Sequence, residues 1–201
     1  WHEHGHDGTD PVIWLDVLDL PLVYYMEASY HINGSRQTQL PGRGDRAYAR
    51  GGVVPTPVFA RSEKRYPMLR YPWADARAAL LSLAEDRPDL DAVQVSYVNP
   101  ETGDDAENIL GFYALMLRPG QTLSLPARSP ATVFHQIEGS ADVTVGDAAQ
   151  TFTLAGADTC CAPGYTPITL RNTSASDPAF LFIADEAPLH KKLGVYEVRQ
   201  P

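Results

Sequence analysis

The chain has 201 residues, of which 44% are apolar and 20% charged, with a formal net charge of −9. Such a length suits one large domain or one and a half small ones, and such an apolar content supplies a buried core, which excludes a disordered chain. The acidic balance argues against nucleic acid as a partner, because phosphate binding needs a basic patch, and no apolar run reaches the length of a membrane span.

The first eight residues, WHEHGHDG, set His2, His4 and His6 at alternate positions. Three imidazoles in one stretch suggest a metal, yet alternate histidines on one strand seldom complete a site. No signal peptide is visible and the first residue is Trp1, so the expectation is a cytoplasmic chain that was processed or forms part of something longer. Within residues 1–30, PVIWLDV and PLVYYMEAS read as strands. Residues 31–67 are rich in Gly, Arg and Pro and read as a long irregular connection. Arg43-Gly44-Asp45 is read there as a turn. Asn33-Gly34-Ser35 and Asn172-Thr173-Ser174 match the glycosylation triplet but are read as turns too. YPWADARAALLSLAEDRP predicts a helix, because Trp73, Ala76, Leu80, Leu83 and Ala84 fall on one face, and Pro88 stops it.

Beyond that helix every signal is β. AVQVSYV alternates, and FYALMLRPG, TLSLPA, ATVFHQIEG, ADVTVGD, TFTLAG, ITLRN and AFLFIAD follow at short intervals with Gly, Pro, Asn or Asp between them. Short strands with regular turns predict a sandwich or barrel. APLHKKLGVYEV is expected to form a helical turn and a closing strand. Cys160 and Cys161 are adjacent, a spacing that disfavours pairing, and are read as two buried thiols in a reducing compartment.

From Gly120 onward the spacing resembles the cupin family. That family's first motif is G, five residues, H-x-H, three or four residues, E, six residues, G; here Gly120 leads into QTLSL and PAR, with Thr132 and Gly139 in register. The second motif fits Asp158 to Pro163, then Tyr165 and Asn172. Pro126 and Arg128 stand at the two histidine positions, Thr132 at the glutamate, and Ile168 at the second motif's histidine. Proline, a guanidinium and isoleucine offer a divalent metal no lone pair, so this barrel is expected to hold no metal. His135 lies away from all four positions and is read as a structural or interface histidine.

A wider resemblance covers nearly the whole chain. WHEHGHDGTDPVIWLDVLDLPLV, YPW, YVNPETG, LRPG and HKKLGVYE resemble the gentisate 1,2-dioxygenase family and its relatives acting on salicylate or hydroxynaphthoate. The resemblance implies a mainly β protein of two cupin barrels (double-stranded β-helix, or jelly roll). Residues 1–30 would be the tail of an N-terminal iron-binding barrel. Residues 31–90 would connect the two, with one helix near 73–86, and residues 91–201 would form a C-terminal barrel without metal ligands. It further implies Fe(II) held by three histidines in the N-terminal barrel, with His2 matching the third metal ligand. His4 would stand beside the substrate, Asp16 would help recognise it, and Trp14 would pack nearby. The implied partners are an aromatic hydroxy acid and O2, with no nucleic acid and no membrane, in a homotetramer. The family's H-x-H pair is absent from these 201 residues, so the chain alone is expected to be inactive. Glu3, His6 and Val17 depart from the family pattern, and Val17 puts the substrate in doubt. A different reading of the same sequence is a metal-free cupin acting as a structural or small-ligand module.

Overall fold

A computed structural model describes residues 6, 8–32, 70–100, 102–146 and 150–199. The alternating stretches after residue 90 become eleven short strands: β1 (Val93–Ser96), β2 (Gly111–Leu117), β3 (Thr122–Leu125), β4 (Ala127–Arg128), β5 (Thr132–Glu138), β6 (Ser140–Val145), β7 (Gln150–Ala155), β8 (Thr159–Ala162), β9 (Ile168–Arg171), β10 (Ala179–Asp185) and β11 (Val198–Arg199). One sheet has the order β1-β2-β10-β5-β8, a second β3-β9-β6-β7, and β11 pairs with β4. Strands far apart in sequence, such as β2 and β10, lie side by side and antiparallel, which is jelly-roll wiring.

Every second residue of these strands points inward. Leu115, Leu117, Phe134, Val143, Leu170, Leu181 and Ile183 fill the core. The β5–β10 register slips between Phe180 and Leu181. There the fully buried Gln136 donates its Nε2 to the carbonyls of Glu138 (2.8 Å) and Phe180 (3.2 Å), which the bulge frees. Gly139, between β5 and β6, has φ +76°, and a Cβ there would lie 2.9 Å from the Pro178 carbonyl, so no larger residue fits the turn.

Among the described residues three helices accompany the strands: α1 (Leu20–Tyr25), α2 (Trp73–Asp86) and α3 (Ala187–Leu193). The expected helix is α2. Its Ala76 and Leu80 pack on Val93, Ala114, Met116 and Phe180, on the outer face of the five-stranded sheet. Pro88 bars Arg87 from helical angles, and Arg87 is the C-cap with φ −130° and ψ 70°. At the chain's end α3 stops at Gly194 in the left-handed conformation, and β11 follows as the expected closing strand.

The strand expectation for PVIWLDV and PLVYYMEAS is overturned. Residues 11–19 are irregular and Leu20–Tyr25 is helical. Pro21 sits in the first turn, where a missing N–H costs nothing, and none of the described strands pairs with this stretch to hold it extended. Most of the connection read over 31–67, including Arg43-Gly44-Asp45 and Asn33-Gly34-Ser35, lies outside the described residues. Asn172 is a turn residue, as expected, but a buried one. Its Nδ2 donates to the carbonyls of Leu117, Arg118 and Asp177, and its Oδ1 accepts from the Ser174 N–H. The pair of buried thiols is corrected too: both cysteines are free, but only Cys160 is partly buried and Cys161 is exposed. Among the described residues no helix is long and apolar enough to cross a membrane.

Candidate functional site

The four positions where a cupin carries its metal ligands fall around one end of the barrel. Pro126 lies between β3 and β4 and is exposed, so it contributes nothing inward. Ile168 opens β9 and is 5% exposed, part of the apolar wall. Arg128 on β4 and Thr132 on β5 meet: Arg128 Nη2 donates to Thr132 Oγ1 at 3.3 Å.

The partner of Arg128 is a residue that sequence reasoning missed. Asp185 closes β10, and alternation from Leu181 and Ile183 turns its side chain into the barrel. Its Oδ2 lies 3.1 Å from Arg128 Nη1, with the aspartate side chain fully buried and the arginine's 23% exposed. Its Oδ1 accepts from the Ala187 N–H at 3.0 Å and from the Tyr113 hydroxyl at 3.3 Å. Tyr113 reaches it because Gly111, two residues back on the same face of β2, has no side chain: a Cβ there would collide with the phenol oxygen. Burial, and then the charge of Asp185, pushes the Tyr113 hydroxyl well above its ordinary pKa. It is a donor, not a base.

The end of the barrel is thus closed by a cation, an anion and two hydroxyls in mutual contact. A guanidinium has no lone pair for a metal. One carboxylate, already paired, is a poor basis for a divalent site. The donor set therefore does not fit a metal. Among the described residues no group of three or more His, Cys, Asp or Glu side chains is placed to hold one.

Two other polar clusters lie outside this network. Ser129 Oγ and His190 Nδ1 lie 2.9 Å apart, and Glu186 Oε2 is 4.0 Å from His190 Nε2. The set looks like a hydroxyl, imidazole and carboxylate relay. However, Ser129 is 8% exposed, accepts the Glu197 N–H at 3.1 Å and donates its own N–H to the Glu197 carbonyl at 2.9 Å. It is a clasp for the chain leading into β11. His135 is half-buried on the outer face of β5, its Nδ1 2.8 Å from Thr159 Oγ1 on the neighbouring β8, as a structural histidine should be.

Of the predicted site residues, His2 and His4 lie outside the described residues. Asp16 is exposed on the irregular stretch before α1. Trp14, on the same stretch, is 53% exposed. Asp185, Tyr113, Ser129 and His190 were not singled out. The signal for the first two was available, since both share the inward phase of apolar strands.

The two antiparallel sheets, their strand order and the inward frame of Arg128, Thr132 and Ile168 define a cupin-fold protein. The fold matches salicylate 1,2-dioxygenase from Pseudaminobacter salicylatoxidans with a TM-score of 0.74 at 25% identity, covering 90% of this chain and 53% of that one. By sequence the chain is homologous, along almost its whole length, to gentisate 1,2-dioxygenases. It is 73% identical over 199 residues to that of a Ralstonia species, covering 99% of this chain and 56% of the relative. It is 31% identical over 202 residues to gentisate 1,2-dioxygenase 1 of Aquipseudomonas alcaligenes, covering 98% and 56%, and 26% identical over 199 residues to a 5-aminosalicylate 1,2-dioxygenase of a Comamonas species, covering 98% and 52%. The chain spans about half the length of these relatives. No protein-family model matches it.

Proposed function

We propose that this chain is the C-terminal part of an iron(II)-dependent, cytoplasmic, ring-cleaving dioxygenase that inserts O2 into gentisate or a related hydroxylated aromatic acid. The observation that carries the reading is the 73% identity over 199 residues to a gentisate 1,2-dioxygenase. In this reading residues 1–30 are the tail of an N-terminal barrel, 31–90 the connection, and 91–201 a second barrel without metal. The exposed apolar side chains of residues 12–32 support it, as does a second barrel whose core is built without them.

His2 would supply one imidazole to the iron, and two further histidines would come from the upstream barrel. His4 stands beside the substrate. Asp16 helps recognise the aromatic acid, and Trp14 packs near Asp16. Iron, when bound, supplies the route by which electron density passes from the aromatic acid to O2. Neutral imidazoles keep the site positive, which favours the carboxylate and ionised hydroxyl of the acid over neutral phenols. O2 enters between the carboxyl-bearing and hydroxyl-bearing ring carbons, both oxygen atoms stay in the opened product, and the working molecule is a homo-oligomer. The second barrel, filled by its own ion pair, takes no part in the chemistry and serves as a structural module.

The test is oxygen uptake by the intact protein with gentisate, salicylate and 5-aminosalicylate, with product mass measured. One O2 per acid and a product heavier by both atoms is expected. The His2→Ala variant loses iron and turnover together, whereas Asp16→Asn keeps iron and loses kcat/KM. Full turnover in His2→Ala, or no uptake with any of the three acids, overturns the reading.

A further inference from the structure

We propose that Arg128 is a built-in replacement for the metal of this barrel: its guanidinium neutralises the buried carboxylate of Asp185 and ties together the strands that a cupin metal would otherwise cross-link. The inference concerns the second barrel alone and stands apart from the dioxygenase reading.

Position is the first argument. Arg128 and Thr132 occupy two of the four ligand positions, and they touch at 3.3 Å. The positive charge of the side chain is therefore delivered to the place where the frame would hold a cation. Charge is the second. The Asp185 side chain is fully buried, and an isolated carboxylate in that setting is strongly unfavourable. Its Oδ2 makes no hydrogen bond of good geometry, yet Arg128 Nη1 stands 3.1 Å away. That contact is an ion pair, made by charge and proximity rather than by a hydrogen bond of good geometry. Connectivity is the third. Through Arg128, Thr132, Asp185, Tyr113 and the Ala187 N–H, the network joins β4, β5, β10, β2 and the start of α3. β4 belongs to the small β4–β11 pair, outside both larger sheets, so Arg128 is one fastening of that flap to the five-stranded sheet, made from inside, beside the bond from the Tyr165 N–H to the Arg128 carbonyl. Gly111 completes the fit, since any side chain there would push the Tyr113 hydroxyl off Asp185.

Such an arrangement leaves no vacancy for a cation. It also makes a sharp statement about pairs of substitutions. A charge left alone in this barrel is worse than no charge at all, because the cost of burying it is no longer offset.

The experiment is a double-substitution cycle in the intact protein, read by thermal unfolding, with a metal count on the unsubstituted protein. Arg128→Met leaves Asp185 unpaired and lowers the barrel's Tm by about 10 °C. Asp185→Leu leaves Arg128 unpaired and lowers it comparably. The doubly substituted Arg128→Met/Asp185→Leu protein regains at least half of that loss. If either single variant fails to fold, a soluble, cooperatively unfolding double variant carries the same meaning. Losses that add in the double, or a double variant that is as poorly folded as the singles, overturn the proposal. So does a second metal ion per chain after the intact protein is loaded with excess Fe(II), Mn(II) or Zn(II) and desalted; none or one supports it.

Discussion

Cys160 and Cys161 are neighbours in sequence but not in surroundings. Alternation along β8 turns Cys160 toward the core, where it packs against the apolar cluster, and leaves Cys161 exposed. Burial, aided by the neighbouring thiol, pushes Cys160 up to about 11, and only the thiolate is nucleophilic. Limited treatment with iodoacetamide at mildly alkaline pH is expected to modify one cysteine per chain, located by peptide mapping at Cys161. Equal labelling of both residues of the native protein would contradict this placement. Gly111 is the second residue whose role follows from its surroundings. Gly111→Ala puts a methyl into the Tyr113 hydroxyl and breaks its bond to Asp185. The expected loss is about 1–2 kcal/mol in denaturant unfolding, the usual cost of an orphaned buried polar group. Tyr113→Phe removes the same bond, so the two losses should not add.

At the scale of elements, α2 is held to the sheet by one apolar face and one carboxylate. Glu138, at the end of β5, accepts from Trp73 Nε1 at 2.7 Å and Arg77 Nε at 2.9 Å. The hydrogen bond from Trp73, then that from Arg77, holds its carboxyl below the ordinary 4.5. A depressed folded-state value means that the stabilisation is complete above the unfolded value and is lost as pH falls through the folded one. Glu138→Gln is therefore expected to cost about 1 kcal/mol at neutral pH, a modest figure for a partly exposed carboxylate. The gap from the parent protein closes as pH drops below 4.5; a gap constant with pH would show that the charge does not matter. Leu80, fully buried beneath the helix, is the apolar half of the same joint, and Leu80→Ala should cost about 2–5 kcal/mol. These elements were legible in sequence because a period of about 3.6 or of two marks them. LPLVYY carries neither period clearly, and an apolar run of that length suits strand or helix alike. Asp185 was hidden for another reason. It ends AFLFIAD, a stretch that reads as an apolar strand running into a turn; alternation gives its inward phase, but nothing local says that it meets an arginine on β4. The emptied ligand frame could be read from spacing; what refilled it could only be found once β4 and β10 were placed in space.

For the molecule as a whole, the unequal burial of its two ends is the main physical fact. Neither hydrophobic cluster contains a residue from 8–32, and α1 buries none of its side chains. Ile13, Tyr25, Tyr30 and Ile32 are 90%, 89%, 85% and 73% exposed. Apolar side chains concentrated in this way mark a surface that something else covers, and relatives about twice as long have chain to spare for it. If this segment adds nothing to the barrel, its removal should cost the barrel nothing. A chain lacking residues 1–32 is expected to unfold cooperatively, with a Tm within about 2 °C of the 201-residue chain. Light scattering should show less self-association, because the exposed apolar side chains are gone. A Tm lowered by many degrees would mean that the segment packs on the barrel after all, and the division of the chain near residue 30 would have to be abandoned. An unchanged Tm with unchanged association would instead place the sticky surface on the barrel, where the outer face of β2 and β10 carries the stacked rings of Phe112 and Phe182.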